Sequence, residues 1–416
     1  MTQNQDVIVI GGGASGLMAA GRAAEMGARV LLLEKMPRLG LKLGLTGKGR
    51  GNLTNQADIQ TFIQSYSPDG KFLRNCFARF FNQDLVDFFE TWGVSLTVER
   101  GGRVFPLSNR ALDLVSALLR YGQQGRVRIT KEHPVDKIEV GDGAVTGVWS
   151  RGGFLEAQAV VLATGGASYP QTGSSGDGYR LARSLGHTII PVRPYLIPLV
   201  AGEDWVSGLQ GLSLKNVRAT LYLKGVKDQS EFGEMIFTHF GLSGPIILTL
   251  SGRAVDGLPK GKVEVSLNLK PALTTEQIDL RLRREFQENP LKGAGSVLKH
   301  LLPSRMIPIF LLRADVPADK KSNQITSVER NRIKGLLSDF RLTIQGHRPL
   351  EEAIVTAGGI ALKEVDPRTL ESRKIKNLFL CGEVLDIQGQ TGGFNLQAAF
   401  STGWVAGTQA AQGIRA

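Results

Sequence analysis

The sequence predicts an α/β fold in which a mainly parallel sheet, built from both ends of the chain, is interrupted by a β-rich insert. Three observations carry this expectation. The apolar run Val7–Ile10 leads straight into a glycine-rich turn and a helix near the N-terminus. Glycine-rich strand ends recur at Ala163–Gly166 and again at Cys381–Glu383, close to the other end. Between them the texture changes from Pro191 onward to alternating strands and amphipathic helices. At 416 residues the chain also exceeds what one compact core holds.

The elements follow in order. Asp6–Ile10 reads as a buried parallel strand, Gly11–Gly16 as its turn, and a helix runs on to about Met26, stopped by Gly27. Arg29–Leu33 is the next strand and ends at Glu34, which completes a βαβ opening. Asp84–Trp92 and Arg110–Tyr121 have helical apolar spacing. Short strands follow at Val127–Thr130, Val135–Val140 and Val145–Ser150, the last two joined by a Gly141-Asp142-Gly143 turn. Ala159–Ala163 is a buried strand and Asp177–Leu185 a helix. Pro191, Pro194 and Pro198 mark a boundary. Beyond it Val217–Leu223 and Lys262–Leu269 alternate like strands, and Thr275–Phe286 and Ser327–Leu337 read as helices. The glycine-rich style returns near Ile354. The expected organisation is one discontinuous domain, 1–190 with 350–416, holding an insert at 191–349. That insert is β-rich over 191–270 and about 340–349, and helical over about 271–339.

Composition removes several function classes. The only cysteines, Cys76 and Cys381, stand far apart with no C-x-x-C, so a disulfide framework, a zinc site and a dithiol relay are not expected. The first six residues are polar, and Val7–Ile10 is too short for a signal segment. No stretch approaches the roughly 20 apolar residues of a membrane span, so the cytoplasm is the expected location. The 51 glycines fall in clusters, as they do where backbone must approach a ligand closely. The formal charge is +12, and residues 261–350 hold 16 Lys/Arg against 9 Asp/Glu. Attraction to nucleic acid is one reading of that excess. A solvated basic surface is the other, and the sequence favours it.

Four constellations carry the chemistry. In the first, Gly11, Gly13 and Gly16 fill a G-x-G-x-x-G turn between strand and helix, with Ala14 and Ser15 inside it. Such a turn lets a pyrophosphate rest on the amides of a helix N-terminus, and Glu34 is placed to accept from a ribose hydroxyl. The second is the stretch Gly40–Asn55. Its Gly47-Lys48 pair raises a phosphate loop of the Walker type, but Lys42 stands where a glycine is needed and Gly49 replaces the magnesium-binding Ser/Thr. A flexible backbone cradle fits better, with Lys42 and Arg50 offsetting phosphate charge and Asn52 and Asn55 adding polar contacts. The third is Val160–Pro170, in which a buried strand ends in Ala163-Thr164-Gly165-Gly166, followed by Gly176-Asp177-Gly178 at a helix start. The fourth is Leu378–Glu383, then Asp386, then Gly389–Ala399. Gly382 and Glu383 suit a ribityl chain, and the turn Thr391–Asn395 opens a helix whose N-terminus carries about half a positive charge. Aimed at a flavin N1 and C2 carbonyl, it would stabilise the reduced anion.

Together, in this order, the four point to FAD in a Rossmann-like domain of the two-dinucleotide-binding type. The expected cofactor contacts are Gly11, Gly13, Ala14, Ser15, Gly16, Glu34, Lys35, Lys42, Thr46, Gly47, Gly49, Arg50, Asn52 and Val135. From the later constellations they are Ala163, Thr164, Gly165, Gly166, Asp177, Gly382, Glu383, Asp386, Gly392, Gly393, Phe394 and Asn395.

With these residues in view, the chain resembles the YhiN/BaiN family of bacterial NAD(P)/FAD-dependent flavoproteins over nearly its whole length. The resemblance includes Gly102–Pro106, Phe237–Pro245, Val355–Gly359 and Glu371-Ser372. It implies a flavin domain, a β-rich insert and a small helical subdomain, FAD bound without a covalent link, and either enone-type reduction or oxidation of small amines. The chain departs from the family at Gly49-Arg50-Gly51-Asn52, where the usual pattern is Gly-Arg-Cys-Asn, so no thiol stands beside the cofactor at this position. The third constellation is also similar to that of fumarate-reductase-like flavoproteins, at the level of fold.

Flavin chemistry needs few catalytic side chains, and the substrate-side candidates are His239, Tyr169, Arg50 and Arg103. His239, in a glycine-bounded segment of the insert, suits a general acid for enone reduction, and equally a structural role. Tyr169 could line the pocket or only pack. His133, His187, His300 and His347 stand in no constellation and read as structural. A second G-x-G-x-x-G is lacking, so NAD(P)H is expected only as a transient donor over the flavin ring. The leading function is an FAD-dependent oxidoreductase acting on a small organic substrate. The alternatives are a flavin-dependent RNA-modifying enzyme and a non-catalytic flavin-binding interaction protein. The RNA reading draws on net charge and is opposed by the lack of aromatics among the insert's basic residues.

Overall fold

Val7, Ile8 and Val9 are fully buried, and a run apolar on both faces is what a central parallel strand requires. The computed structural model, which describes residues 5–414, puts Gln5–Ile10 at that position. It pairs in parallel with Val30–Glu34 on one side and Gly153–Leu162 on the other. Arg128–Lys131 and Leu378–Leu380 extend this seven-stranded sheet, again in parallel. The strand expected at Ala159–Ala163 begins earlier, at Gly153, because its two halves serve different partners. Gly153–Glu156 pairs antiparallel with Ala144–Ser150, whereas Ala157–Leu162 lies along Gln5–Ile10.

Two helices brace the sheet through residues that lack side chains. The first, Ala14–Glu25, packs on the C-terminal helix Phe394–Gly413. A β-carbon on Gly403 would sit 2.4 Å from the Ser15 carbonyl oxygen, and one on Gly407 would sit 2.3 Å from that of Ala19. Glycine is therefore the only residue that keeps this axis-to-axis approach.

The chain divides into two compact units, Met1–Pro194 with Leu350–Ala416, and Tyr195–Pro349. The first break falls after Pro194, later than the expected 190. Strand Ile189–Tyr195 pairs with Val355–Ile360, which ties Pro191 and its neighbours to the first unit. The second unit holds a closed barrel of Leu199–Ala201, Gly241–Ser243, Val226–Phe237, Ser213–Leu223, Val263–Asn268 and Phe340–His347, in that spatial order. The long hairpin in it turns on Lys224 and Gly225, both at positive φ, the geometry that suits a two-residue turn between twisted strands. Helix Pro245–Gly257 lies inside the stretch expected to be β-rich, its apolar run Ile246-Ile247 serving as a buried helix face. Helices Thr275–Glu288, Ile307–Ala314 and Ser327–Ser338 form the helical part. No helix among the described residues is long and apolar enough to cross a membrane.

In the first unit His187 is not an isolated core histidine. Its Nδ1 lies 3.1 Å from Glu364 and its Nε2 lies 2.9 Å from the Ser372 hydroxyl, all three buried. This has the connectivity of a Ser-His-acid triad, yet the Ser372 oxygen also accepts from the Lys374 and Ile375 amides. We read it as a clasp. Burial pushes the imidazole below its ordinary value, against the upward pull of Glu364. Burial alone would raise Glu364, but the Thr188 amide and hydroxyl and Lys374 outweigh it and bring the carboxyl down to about 2.

Both groups therefore bind fewer protons folded than unfolded. Their stabilisation is complete above the ordinary histidine value. It is lost in two stages as pH falls, first through His187 and then through Glu364 between its ordinary value and about 2. The expected result is a urea midpoint that drops between neutral pH and pH near 5, and drops less in His187→Gln. Equal pH dependence in both proteins would remove His187 from this account.

Candidate functional site

The site is built where strand ends of the first unit meet. Gly11 has φ +104°, and a β-carbon there would lie 2.6 Å from the Ala163 carbonyl, so the first turn is pressed against the third constellation. A β-carbon on Gly16 would fall 1.9 Å from the Gly11 carbonyl oxygen. Gly13 is different. It caps the first helix in extended conformation, and a β-carbon on it would meet nothing within 4 Å. Two of the three motif glycines are thus explained by protein packing, and the third faces open space.

Glu34 is buried, with Oε2 accepting from the Gly12 amide at 2.7 Å and Oε1 from the Met36 amide at 2.8 Å. Its carboxylate is fixed in orientation, and each oxygen keeps a lone pair for a further donor. Lys35 donates to Ser175 and Asp177, which joins the end of the second strand to the helix Asp177–Ser184. Val135 opens strand Val135–Gly141 two residues after His133, whose amide donates to the Glu34 carbonyl at 2.9 Å.

A second node gathers the other constellations. Lys42 Nζ donates to Glu383 at 2.6 Å and to the Ser168 hydroxyl at 2.8 Å. The other Glu383 oxygen accepts from the Thr356 amide at 2.8 Å, and the Thr356 hydroxyl oxygen accepts from the amides of Ala167 at 2.9 Å and Ser168 at 3.1 Å. Gly166 lies so close that a β-carbon would meet Thr356 Oγ1 at 2.4 Å. Gly165, at φ +74°, abuts Ser174, and the Thr164 hydroxyl abuts Gly178. Gly382, at φ +76°, faces the Ser15 side chain, and its amide donates to Thr402 at 3.0 Å. Asp386 accepts from the Gly358 amide at 3.1 Å; burial raises its carboxyl, opposed by Arg193. Cys381 is buried beside Ser15, and burial pushes its thiol up to about 12, so it is no nucleophile.

At the C-terminal helix start, Asn55 Nδ2 donates to the Gly392 carbonyl at 3.0 Å, and a β-carbon on Gly393 would lie 2.3 Å from the Thr54 carbonyl. Asn395 folds back on Gly389 with both amide atoms, and Phe394 is buried against Phe62 and Tyr66. These two side chains shape the turn. The loop Thr46–Gly49 carries Gly47 and Lys48 at φ 58° and 59°, with Gly49 at +84° and open space around it. Gly51, which stands in place of the family's cysteine, has φ +77°, and a β-carbon there would lie 3.0 Å from Ala111 Cα. Among the described residues of this unit, three buried side-chain oxygens have no partner, Asn52 Oδ1, Thr164 Oγ1 and Gln388 Oε1, and two of them belong to the predicted contacts.

Two of the substrate-side candidates, Arg50 and Arg103, meet at Glu99. Arg50 stacks over Phe105 at 4.4 Å, pairs with Glu99 and donates to Asn109, and the pair pulls the Glu99 carboxyl down. Arg103 reaches the same Glu99 at 3.7 Å. Tyr169 follows Ser168 directly and holds a left-handed φ of 55°, a strained state for a tyrosine. His239 is exposed in the second unit, on the turn between two barrel strands, edge-on to Phe240. Sequence reasoning left Thr356 and Ser168 without a role. The only trace of them was the Val355–Gly359 motif and the strand-end position of Ser168. No group of three or more His, Cys, Asp or Glu able to hold a metal exists among the described residues.

Over 408 residues the chain is 32% identical to the 3-dehydro-bile acid delta(4,6)-reductase of Clostridium scindens, covering 97% of this chain and 98% of that protein. It is 29% identical to the ribosomal RNA dihydrouridine synthase of Escherichia coli, with 96% of each covered. The fold is shared with the 3-ketosteroid delta1-dehydrogenase of Sterolibacterium denitrificans, at a TM-score of 0.52 and 14% identity over 99% of this chain and 100% of that one. A family model described as the HI0933-like protein Rossmann domain matches residues 5–409, in keeping with the resemblance read from the motifs. The chain belongs to that HI0933-like Rossmann-domain family.

Proposed function

We propose that this chain is an FAD-dependent oxidoreductase that reduces a carbon–carbon double bond conjugated to a carbonyl. The observation that carries the cofactor is the contrast at the first turn. Gly11 and Gly16 are demanded by packing, while Gly13 borders empty space at a helix N-terminus, which suits a pyrophosphate. The unpartnered Asn52 and Thr164 oxygens fit the same ligand as acceptors. Glu34 would take a ribose hydroxyl, and the N-terminus of helix Phe394–Gly413 would supply positive charge toward the ring, with Lys42 held beside it by Glu383.

When bound, FAD supplies hydride from N5. The chain's own residues hold the dinucleotide, exclude water and deliver the proton that balances the reduction. Hydride adds to the β-carbon and a proton to the α-carbon, so one two-electron donor is consumed per double bond. NADH or NADPH is the proposed transient donor. Tyr169 is the better candidate for the proton, because it adjoins the Lys42–Glu383–Ser168 node. His239 is the other, and Arg50 is engaged by Glu99.

Two substrate classes share this chemistry. A small cyclic enone is favoured by the full-length relative that reduces a 3-dehydro-bile acid. Uracil within RNA also presents a double bond conjugated to a carbonyl, and it is favoured by the dihydrouridine synthase relative and by the charge of +12. The test is anaerobic reduction of the yellow protein by NADPH or NADH, followed by mixing with a 3-keto-4,6-diene steroid or with an rRNA fragment. Flavin reoxidation by the steroid supports the leading reading, and reoxidation by RNA alone supports the second. A colourless protein that takes up no FAD at micromolar concentration ends both. Tyr169→Phe is expected to slow reoxidation about a hundredfold at unchanged FAD content, within the range general acids contribute. Unchanged rates, with His239→Ala impaired instead, would move the role to His239.

A further inference from the structure

Helix Thr275–Glu288 places Gln277, Leu280, Arg281 and Arg284 on one face, as the i, i+3, i+4, i+7 spacing requires. That face, with Lys270, His300 and Leu301, walls a groove of about 550 Å³ lying wholly within the second unit. Its charge is one-sided. The buried Glu285 is consumed by Arg281 and His300, each at 2.6 Å. Asp279 points to another face and is held by Arg283 and Arg330. Glu288, one turn beyond Arg284, makes no ion pair with it. Lys270 and Arg284 have no ion-pair partner among the described residues, and burial with the nearby Arg281 pushes the Lys270 ammonium below its ordinary value. The groove therefore carries more positive charge than the carboxylate beside it offsets.

We propose that this groove binds the phosphate backbone of RNA. Two unpaired cations on its walls, Lys270 and Arg284, offer positive charge to the phosphates of a ribose–phosphate chain. The leucines beside them, Leu273, Leu280 and Leu301, accept the apolar face of a ribose. The walls carry no Phe, Tyr or Trp, which favours contact with the backbone over base stacking. The choice of RNA over other phosphate carriers rests on the second reading given above, whereas the groove's charge does not.

The experiment uses the FAD-loaded full chain and a fluorescein-labelled RNA hairpin, titrated across a salt series. Lys270→Glu with Arg284→Glu is compared with Lys215→Glu and Arg218→Glu, two exposed cations on barrel strand Ser213–Leu223. The groove pair is expected to lose affinity about tenfold at physiological salt and to flatten the salt slope by roughly 1.5, while the control pair binds like the parent. Equal losses in both pairs would reduce the effect to net charge and overturn the proposal. So would a parent protein with no salt-dependent RNA binding, or full displacement of RNA by millimolar inorganic phosphate. If circular dichroism shows that reversal disturbs the helix, Lys270→Gln with Arg284→Gln gives the same comparison at about threefold. Flavin reoxidation is followed in parallel. Groove-dependent RNA binding without reoxidation by RNA sinks the second reading and leaves the groove, and an affinity indifferent to the groove does the reverse.

Discussion

Gly13→Ala is expected to fold like the parent and to lose FAD, and Gly16→Ala to lose both fold stability and FAD. The difference follows from what each new methyl would meet. At Gly13 the space is empty and the backbone is extended, so alanine costs only its poorer capping, less than about 1 kcal/mol in the apoprotein. A pyrophosphate seated there would be pushed off the helix amides, and affinity should fall by about a hundredfold or more, roughly 2.7 kcal/mol. At Gly16 the methyl would lie 1.9 Å from the Gly11 carbonyl oxygen, so turn and helix must part whether or not a ligand is present. Overpacking of this kind costs roughly 1–3 kcal/mol. Thermal midpoints of the apoproteins and flavin titrations separate the two effects. A Gly13→Ala protein that binds FAD as tightly as the parent would show that the phosphates lie elsewhere.

The second large effect is expected at Glu383. Replacing it with alanine strands the Lys42 ammonium and the Thr356 amide together, in a node whose charged side chains are about one-fifth exposed. The loss should be about 2–3 kcal/mol, the usual cost of leaving partly buried donors without an acceptor, moderated by that exposure. Because Thr356 in turn holds the Ala167 and Ser168 amides, the loop beside the proposed ring should loosen as well. Glu383→Gln keeps an acceptor for the Thr356 amide and removes only the charge, so it should lose about half as much. The readouts are the thermal midpoint and the near-ultraviolet spectrum of the bound flavin. Identical behaviour of the alanine and glutamine proteins would mean that the carboxylate acts through charge alone.

What could be read ahead of the structure was whatever is contiguous. The turn Gly11–Gly16, Glu34 at its strand end, and the Gly382-Glu383 pair announce themselves because strand, turn and helix follow one another along the chain. Contacts that join distant segments leave no such mark. Thr356 bonded to Ala167, and His187 between Glu364 and Ser372, unite stretches with no shared periodicity. Five scattered histidines could not reveal which one the fold would enclose. The barrel suffered in another way. Strand Val226–Phe237 is rich in polar residues and lacks clean alternation, and helix Pro245–Gly257 begins with an apolar run that suits strand and helix alike. Arg50 looked like a phosphate partner by neighbourhood alone; Glu99 and Phe105, from a separate hairpin, claim its guanidinium.

The contact of Gly403 and Gly407 with the carbonyls of Ser15 and Ala19 has a bearing on biosynthesis. The first strand, turn and helix leave the ribosome well before helix Phe394–Gly413, the surface that completes them. Until it arrives, the nascent βαβ opening carries an uncovered stripe, and chaperone binding to partly synthesised chains should concentrate there. Cofactor loading then waits until helix Phe394–Gly413 has been made and has docked.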